Sequence, residues 1–263
     1  TRSVICAPLE VGGATLGVIE LLNHRSGRGY SPSDMKLLEI FAQTISASVV
    51  NAMDAQRSRD MAKRDDPTGL YNDRFLHHSL SNIIEESLEG GDECGLIFLD
   101  LDHFKGINDR HGHLVGSRVL KEVGATLRQV LPGQAVAARY GGDEFVIVMP
   151  GAGRQEVLWV AETVRKNIES AVFLEQADPA DPVNYPALRI QGVITCSVGV
   201  ATLHSDVLLE LGVESLDSAT AKNELMRRAD ASMYRAKEMG RNRIVSAWAP
   251  ERSRIRSRPA EGR

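Results

Sequence analysis

Three observations predict a mixed α/β fold with one central sheet flanked by helices. Gly95–Leu101, read G-L-I-F-L-D-L, is a nearly continuous apolar run, the pattern of a strand buried on both faces. Two more apolar runs, Ala135–Ala138 and Phe145–Met149, are joined through Gly141-Gly142 and read as a β-hairpin. Around them lie segments whose apolar residues recur at steps of three and four, the helical period. From residue 65 the order α-β-α-β-β-α-β-α-β implies an α/β or α+β sandwich, because amphipathic crossover helices must bury one face on a sheet.

The elements follow in chain order. Val4–Leu9 and Leu16–Leu22 read as strands joined through Gly12-Gly13. After a polar loop, Ser33 is the expected N-cap of a helix running to about Arg64, with Asp34 in its first turn. Met35, Leu38, Ala42, Ile45, Val49 and Ala52 form a heptad seam that weakens at Gln56 and Arg59. The seam suits a dimer helix; a helix lying on its own strands is the alternative. Asp65-Asp66-Pro67-Thr68-Gly69-Leu70 breaks the helix and marks a domain boundary.

Asn72–Leu88 reads as a helix stopped by Gly90-Gly91. After the central strand, His103–Asn108 is expected as a short loop, then His113–Leu131 as a helix. Arg154–Phe173 reads as a helix and Glu175–Ala187, with Pro179, Pro182 and Pro186, as an irregular surface loop. Ile190–Leu203 is expected as one strand, Ala219–Met239 as a helix and Arg243–Trp248 as a last strand.

The 263 residues are 43% hydrophobic and 25% charged, ordinary for a globular protein, and the net charge of −4 gives no general affinity for nucleic acid. Residues 249–263 hold five Arg against two Glu without apolar period, and are expected as a disordered basic tail. Cys6, Cys94 and Cys196 fit neither a zinc site nor a disulfide framework, so a reducing, cytoplasmic setting is expected. No apolar run approaches the ~20 residues of a membrane helix. The chain begins at Thr1 and reads as a piece of a longer protein, which leaves an upstream anchor or targeting signal open.

The chemistry concentrates around R-Y-G-G-D-E-F at 139–145. A bare glycine tip lets a backbone or ligand approach closely. Asp143 and Glu144 follow at once, where a strand begins; a tight turn with solvated charges is the bland alternative. Asp100 ends the central strand, and an acid there is costly unless it binds something. If the two strands are neighbours, Asp100 and Asp143 converge, and like charges that close call for a cation. Oxygen ligands suit Mg²⁺, which shares its shell with waters and substrate phosphates. Lys105, Lys237 and Arg241 could surround the same point, the outline of a nucleotide polyphosphate site.

These motifs resemble the GGDEF family of dinucleotide cyclases. The resemblance covers about residues 65–247 and rests on D-D-P-T-G-L-Y-N at 65–72, D-L-D-H-F-K-G-I-N-D at 100–109, H-G-H at 111–113, the R-Y-G-G-D-E-F heptapeptide, S-V-G-V-A at 197–201 and A-K-E-M-G-R-N at 236–242. The first 52 residues resemble the C-terminal part of a GAF sensor domain, with residues 33–64 as linker helix. Four segments are expected: a partial GAF domain (1–52), a linker and dimerisation helix (33–64), a catalytic domain (65–248) and the tail.

The resemblance implies a palm-like sheet and a homodimer that joins two nucleoside triphosphates, GTP and, where base choice is relaxed, ATP, each 3′-hydroxyl attacking the other's α-phosphate. It implies two Mg²⁺ or Mn²⁺ ions per site, held by Asp100, Asp143, Glu144 and the Leu101 carbonyl. Asp143 and Glu144 are the catalytic pair, with Glu144 assisting deprotonation of the 3′-hydroxyl. Lys105, Lys237 and Arg241 would hold phosphates with His103 and Phe104 beside them, Gly142 would approach the sugar-phosphate, and Asn108 would bond the purine. Asp102, Asp109 and His113 are expected to be structural. A non-catalytic nucleotide-binding module and a dimerisation protein with a vestigial site are the rival readings.

The chain departs from the family pattern twice. Where G-H-x-x-G-D is usual, it reads Gly112-His113-Leu114-Val115-Gly116-Ser117. An Asp accepts from guanine N1–H and its amine and offers nothing to adenine, whereas a Ser hydroxyl donates and accepts. Ser117 therefore predicts relaxed base choice and cyclic GMP-AMP beside cyclic di-GMP, as in the family's hybrid promiscuous branch; a GTP-only enzyme is the alternative. The inhibitory product motif R-x-x-D is replaced by Pro132-Gly133-Gln134-Ala135, so no inhibitory product site is expected there.

Overall fold

The structure is a computed structural model that describes residues 1–213 and 216–248; the predicted basic tail, 249–263, lies outside the described residues. The contacts divide the chain into Thr1–Ala62 and Lys63 onward. In the first unit, β1 (Val4–Val11) and β2 (Ala14–Leu22) pair antiparallel, with a register shift at Leu9/Glu10. Helix α1 (Pro32–Met61) lays Leu38 and Ala42 on Ile5 and Ala7. Its cap is Ser31, not Ser33. Ser31 accepts from Asp34 N–H at 3.2 Å and Asp34 accepts from Ser31 N–H at 2.7 Å, a reciprocal box that leaves Pro32 at N1, where the missing N–H costs nothing. The helix ends at Met61, three residues short of Arg64. Of the predicted seam, Leu38 and Ala42 are buried while Met35, Ile45 and Val49 stay exposed.

The second unit is built on a six-stranded mixed sheet. Its elements are β3 (Tyr71–Asn72), α2 (Asp73–Gly90), β4 (Cys94–Asp102), α3 (Phe104–His111), α4 (His113–Val130), β5 (Val136–Gly141), β6 (Glu144–Pro150), α5 (Arg154–Ser170), β7 (Val172–Phe173), β8 (Ile190–Gln191), β9 (Thr195–Thr202), a π-helical turn at Leu203–Leu208, α6 (Leu209–Leu211), α7 (Ser218–Glu238) and β10 (Ile244–Ser246). The strand order is β10-β9-β4-β6-β5-β3, with the outer pairs β10/β9 and β5/β3 parallel and the inner ones antiparallel.

β4 is central and every residue in it is buried. Its alternation divides the core. Ile97, Leu99, Phe145 and Ile147 face α4 and α5 through Val119, Val123, Val160 and Val164. Leu96, Phe98, Val146 and Val148 face α2 and α7 through Leu76, Leu80, Leu225 and Met233. Gly199 lets α7 approach β9, since a Cβ there would overlap the backbone at Ala229 and Met233. Asn72 caps α2 by accepting from Phe75 N–H at 3.0 Å, and Gly91, at φ 75°, ends it.

Several local expectations fail. His103–Asn108 is not a loop: His103 turns through φ 64° and α3 begins at once, despite Gly106. The predicted strand Ile190–Leu203 is two, broken at Gly192 (φ 69°), and β8 pairs with β7 rather than joining the main sheet. The helix predicted to reach Phe173 ends at Ser170, so that Val172–Phe173 supplies β7.

Candidate functional site

The buried run of β4 delivers Asp100 to the point where the β5–β6 hairpin turns. Asp100 pairs with Glu144 across β4 and β6, and Leu101 N–H donates to the Asp143 carbonyl at 3.1 Å. The acids that end one strand and begin the next therefore meet. Gly142 makes the tip with φ 52°, a conformation most side chains resist. Arg139 holds it there, donating to the Gly142 carbonyl at 2.7 and 2.9 Å and to Asp65 at 3.1 Å. The leading Arg of the heptapeptide and the first Asp of D-D-P-T-G-L thus position the hairpin, a function the motifs alone did not reveal.

Lys237, on the last turn of α7, places Nζ 2.6 Å from Asp100 Oδ2. Burial pushes the Asp100 carboxyl up to about 6; Lys237 opposes this, and the Asp143 and Glu144 charges reinforce it. Glu144 is likewise raised by burial, with Lys237 opposing and Asp143 and Asp230 adding. Asp230 lies two turns before Lys237 on α7 and is a neighbour of Glu144 that motif reading missed. It lines a cavity of about 310 Å³ with Glu144, Phe98 and Tyr140.

Asp100 pairs with Lys237 and also feels the charges of Asp143 and Glu144, and this excess negative charge, with its hard oxygen donors, fits a divalent cation. Among the described residues no group of three His, Cys, Asp or Glu side chains is gathered as a ready cage. Mg²⁺ does not need one, since it binds through one or two carboxylates plus waters and substrate phosphates. Asp100, Asp143 and Glu144, with the Leu101 carbonyl, are the residues that could hold it.

Lys105 is exposed in the first turn of α3, behind His103. Phe104, expected beside the phosphates, is instead 6% exposed and packed into the core. Asn108 and Phe104 lie against Gly116, where a Cβ would overlap the Asn108 amide. Ser117, exposed on α4, lines a groove of about 540 Å³ that contains none of the three acids. Among the described cavities the largest, about 660 Å³, lies between His103, Gly106 and Arg110 and the segment 188–193, also apart from the acids.

Asp102, expected to be structural, has a fully buried side chain. It accepts from Thr195 Oγ1 and Ser197 Oγ at 2.7 Å each and from Asn242 N–H at 3.0 Å. It thereby holds the turn in which Arg241 (φ 62°) and Asn242 (φ 46°) both adopt left-handed backbone, with Arg241 Nε 4.0 Å from its carboxylate. The local sequence gave no sign of this tie, because its partners lie more than 90 residues away.

A family profile described as "Diguanylate cyclase, GGDEF domain" matches residues 62–243, and one described as "GAF domain" matches residues 1–49. The chain is 30% identical over 192 residues to Response regulator PleD of Caulobacter vibrioides, covering 73% of this chain and 37% of that protein. It is 30% identical over 241 residues to Diguanylate cyclase DgcS of Shewanella oneidensis, covering 92% of this chain and 69% of that one. Among solved structures it resembles the coiled coil and GGDEF domain of DgcB from Caulobacter crescentus in complex with c-di-GMP, with TM-score 0.65 and 27% identity over 80% of this chain and 99% of that one. The chain spans 37% of the length of PleD and 53% of that of Diguanylate cyclase VdcA of Vibrio cholerae.

Proposed function

The chain belongs to the GGDEF diguanylate cyclase family, and from that premise we propose that residues 65–248 condense two purine nucleoside triphosphates into a 3′,5′-cyclic dinucleotide with release of two pyrophosphates. The reading is supported chiefly by one observation: Asp100 and Glu144 face each other across β4 and β6, beside the Gly142 tip and under Lys237.

The proposed chemistry is in-line phosphoryl transfer in a homodimer, with one triphosphate on each protomer. The 3′-oxygen of one substrate bonds to the α-phosphorus of the other, and the α–β anhydride bond breaks. The 3′-hydroxyl proton passes to Glu144, which begins β6 directly opposite Asp100. Asp100, Asp143, Glu144 and the Leu101 carbonyl would hold divalent ions, Mg²⁺ or Mn²⁺. Such an ion would neutralise the triphosphate and the leaving pyrophosphate. Lys237, Lys105 and Arg241 supply counter-charge to the phosphate oxygens. Asn108 and Ser117 read the base, and the Ser117 hydroxyl accepts either purine, so GTP and ATP both enter.

Residues 1–52 are assigned to a GAF sensor domain and 33–64 to a dimer helix that relays its state. Phe41, Ile45, Val49 and Met53, one turn apart along α1, remain exposed, which supports a partner for that face. Among the described residues no helix is long and apolar enough to cross a membrane.

The test is chromatography of products from GTP and ATP supplied together with Mg²⁺. Cyclic GMP-AMP beside cyclic di-GMP supports the reading. Cyclic di-GMP alone removes the relaxed specificity, and no cyclic dinucleotide removes the enzyme.

A further inference from the structure

The groove that holds Ser117 has a second wall, which comes from the proline-containing segment after β7. Leu114, Ser117 and Arg118 line one side from α4, Tyr185 and Asp178 line the other, and Pro67 closes one end. That segment is not a loose loop. Leu188 and Arg189 N–H both donate to the Leu174 carbonyl, at 2.9 and 3.1 Å, and close it at its base. Inside, Asp178 N–H donates to the Tyr185 carbonyl at 2.9 Å and Tyr185 N–H to the Asp181 carbonyl at 3.0 Å. A compact loop whose ends meet and whose interior bonds to itself holds its side chains in place.

Helix α4 holds the segment at two points. Glu122 accepts from Leu174 N–H at 2.8 Å. Arg118 donates to the Gln176 carbonyl at 3.0 Å and to the Tyr185 carbonyl at 3.3 Å, with its guanidinium 5.9 Å from the Tyr185 ring centre. The clamp is thus the residue next to Ser117.

We propose that Tyr185 forms the second half of the purine-reading site, which rests on the proposed role of Ser117 as base reader. A purine presents two apolar faces and a polar edge. Tyr185 offers an aromatic face, Pro67 and Leu114 offer apolar surface, and the Asp178 carboxylate, which accepts from Ala180 N–H at 2.9 Å, keeps further acceptor capacity. Every purine has the π-face that an aromatic ring stacks on, so Tyr185 strengthens binding of either purine without choosing between them.

The experiment is equilibrium binding of GTP, ATP and inorganic tripolyphosphate to the full chain and to its Tyr185→Ala and Tyr185→Phe variants, with Ca²⁺ in place of Mg²⁺ to slow turnover. Loss of the Tyr185 ring should weaken both nucleotides about tenfold, as expected for a lost base stack, and leave tripolyphosphate unchanged. Tyr185→Phe keeps the ring and should bind like wild type, which separates stacking from misfolding. Unchanged nucleotide affinity in Tyr185→Ala, or equal weakening of tripolyphosphate, overturns the inference. If Ser117→Asp alters the product while Tyr185→Ala leaves binding alone, the proposed function stands and the loop assignment falls. If the wild type binds no nucleoside triphosphate, both fall.

Discussion

Lys237 Nζ lies 2.6 Å from Asp100 Oδ2, so α7 delivers a cation to the end of the most deeply buried strand. A buried carboxylate with two acidic neighbours needs such a partner. Lys237 offsets one of the three acidic charges at this strand end.

The helix that carries Lys237 depends on one glycine. In Gly199→Ala the added Cβ meets backbone atoms of Ala229 and Met233, which cannot rotate away. The variant is expected to lose about 1–3 kcal/mol of stability, read as a lower urea midpoint, and to lose activity with it as α7 lifts from β9.

Base choice is expected to follow one side chain. Ser117→Asp places a carboxylate that pairs with guanine N1–H and amine and leaves adenine unmatched. With GTP and ATP in equal supply, the share of cyclic GMP-AMP should fall about tenfold or more.

Product inhibition through an R-x-x-D site is not expected, because Pro132-Gly133-Gln134-Ala135 offers neither the guanidinium nor the carboxylate. Initial rates measured against added cyclic di-GMP should show no sub-micromolar inhibition.

Stability should depend on acid through Glu224. Its carboxyl sits between Arg227 and Arg228, at 2.6 and 2.8 Å, and these hydrogen bonds bring it down to about 2 against burial, from 4.5 unfolded. A group depressed in the folded state stabilises at every pH above its unfolded value, and the contribution fades as pH falls from about 4.5 toward 2. Glu224→Gln should cost about 1 kcal/mol at neutral pH, given partial exposure. That difference from wild type should shrink as denaturation is repeated at lower pH.

The sheet and its acids were legible because their signals are local. An unbroken apolar run makes β4 and a glycine pair makes the hairpin; the expected meeting of Asp100 with Asp143 is set by register instead, which puts Glu144 opposite Asp100 and Asp143 one residue earlier. What escaped was set by distant contacts. β3 is two residues long and exists through its pairing with β5. α3 begins on a His in left-handed conformation and contains Gly106, so local propensity argues for a loop while burial of Phe104 and Ile107 argues for the helix. The ties from Asp102 to the Arg241 turn, and from Arg139 to Asp65, join residues 140 and 74 positions apart. Ser117 is a local departure in a motif, whereas the loop across the groove from it is tied by Arg118 to carbonyls 58 and 67 positions away.

The most direct measurement is cyclic dinucleotide formation from GTP and Mg²⁺ by the wild-type chain and by Asp143→Ala, followed by chromatography. The account predicts product from the wild type and a loss of at least about 100-fold in the variant, whose fold should persist because Asp143 is only half-buried at the hairpin. Equal turnover by the two proteins would contradict it.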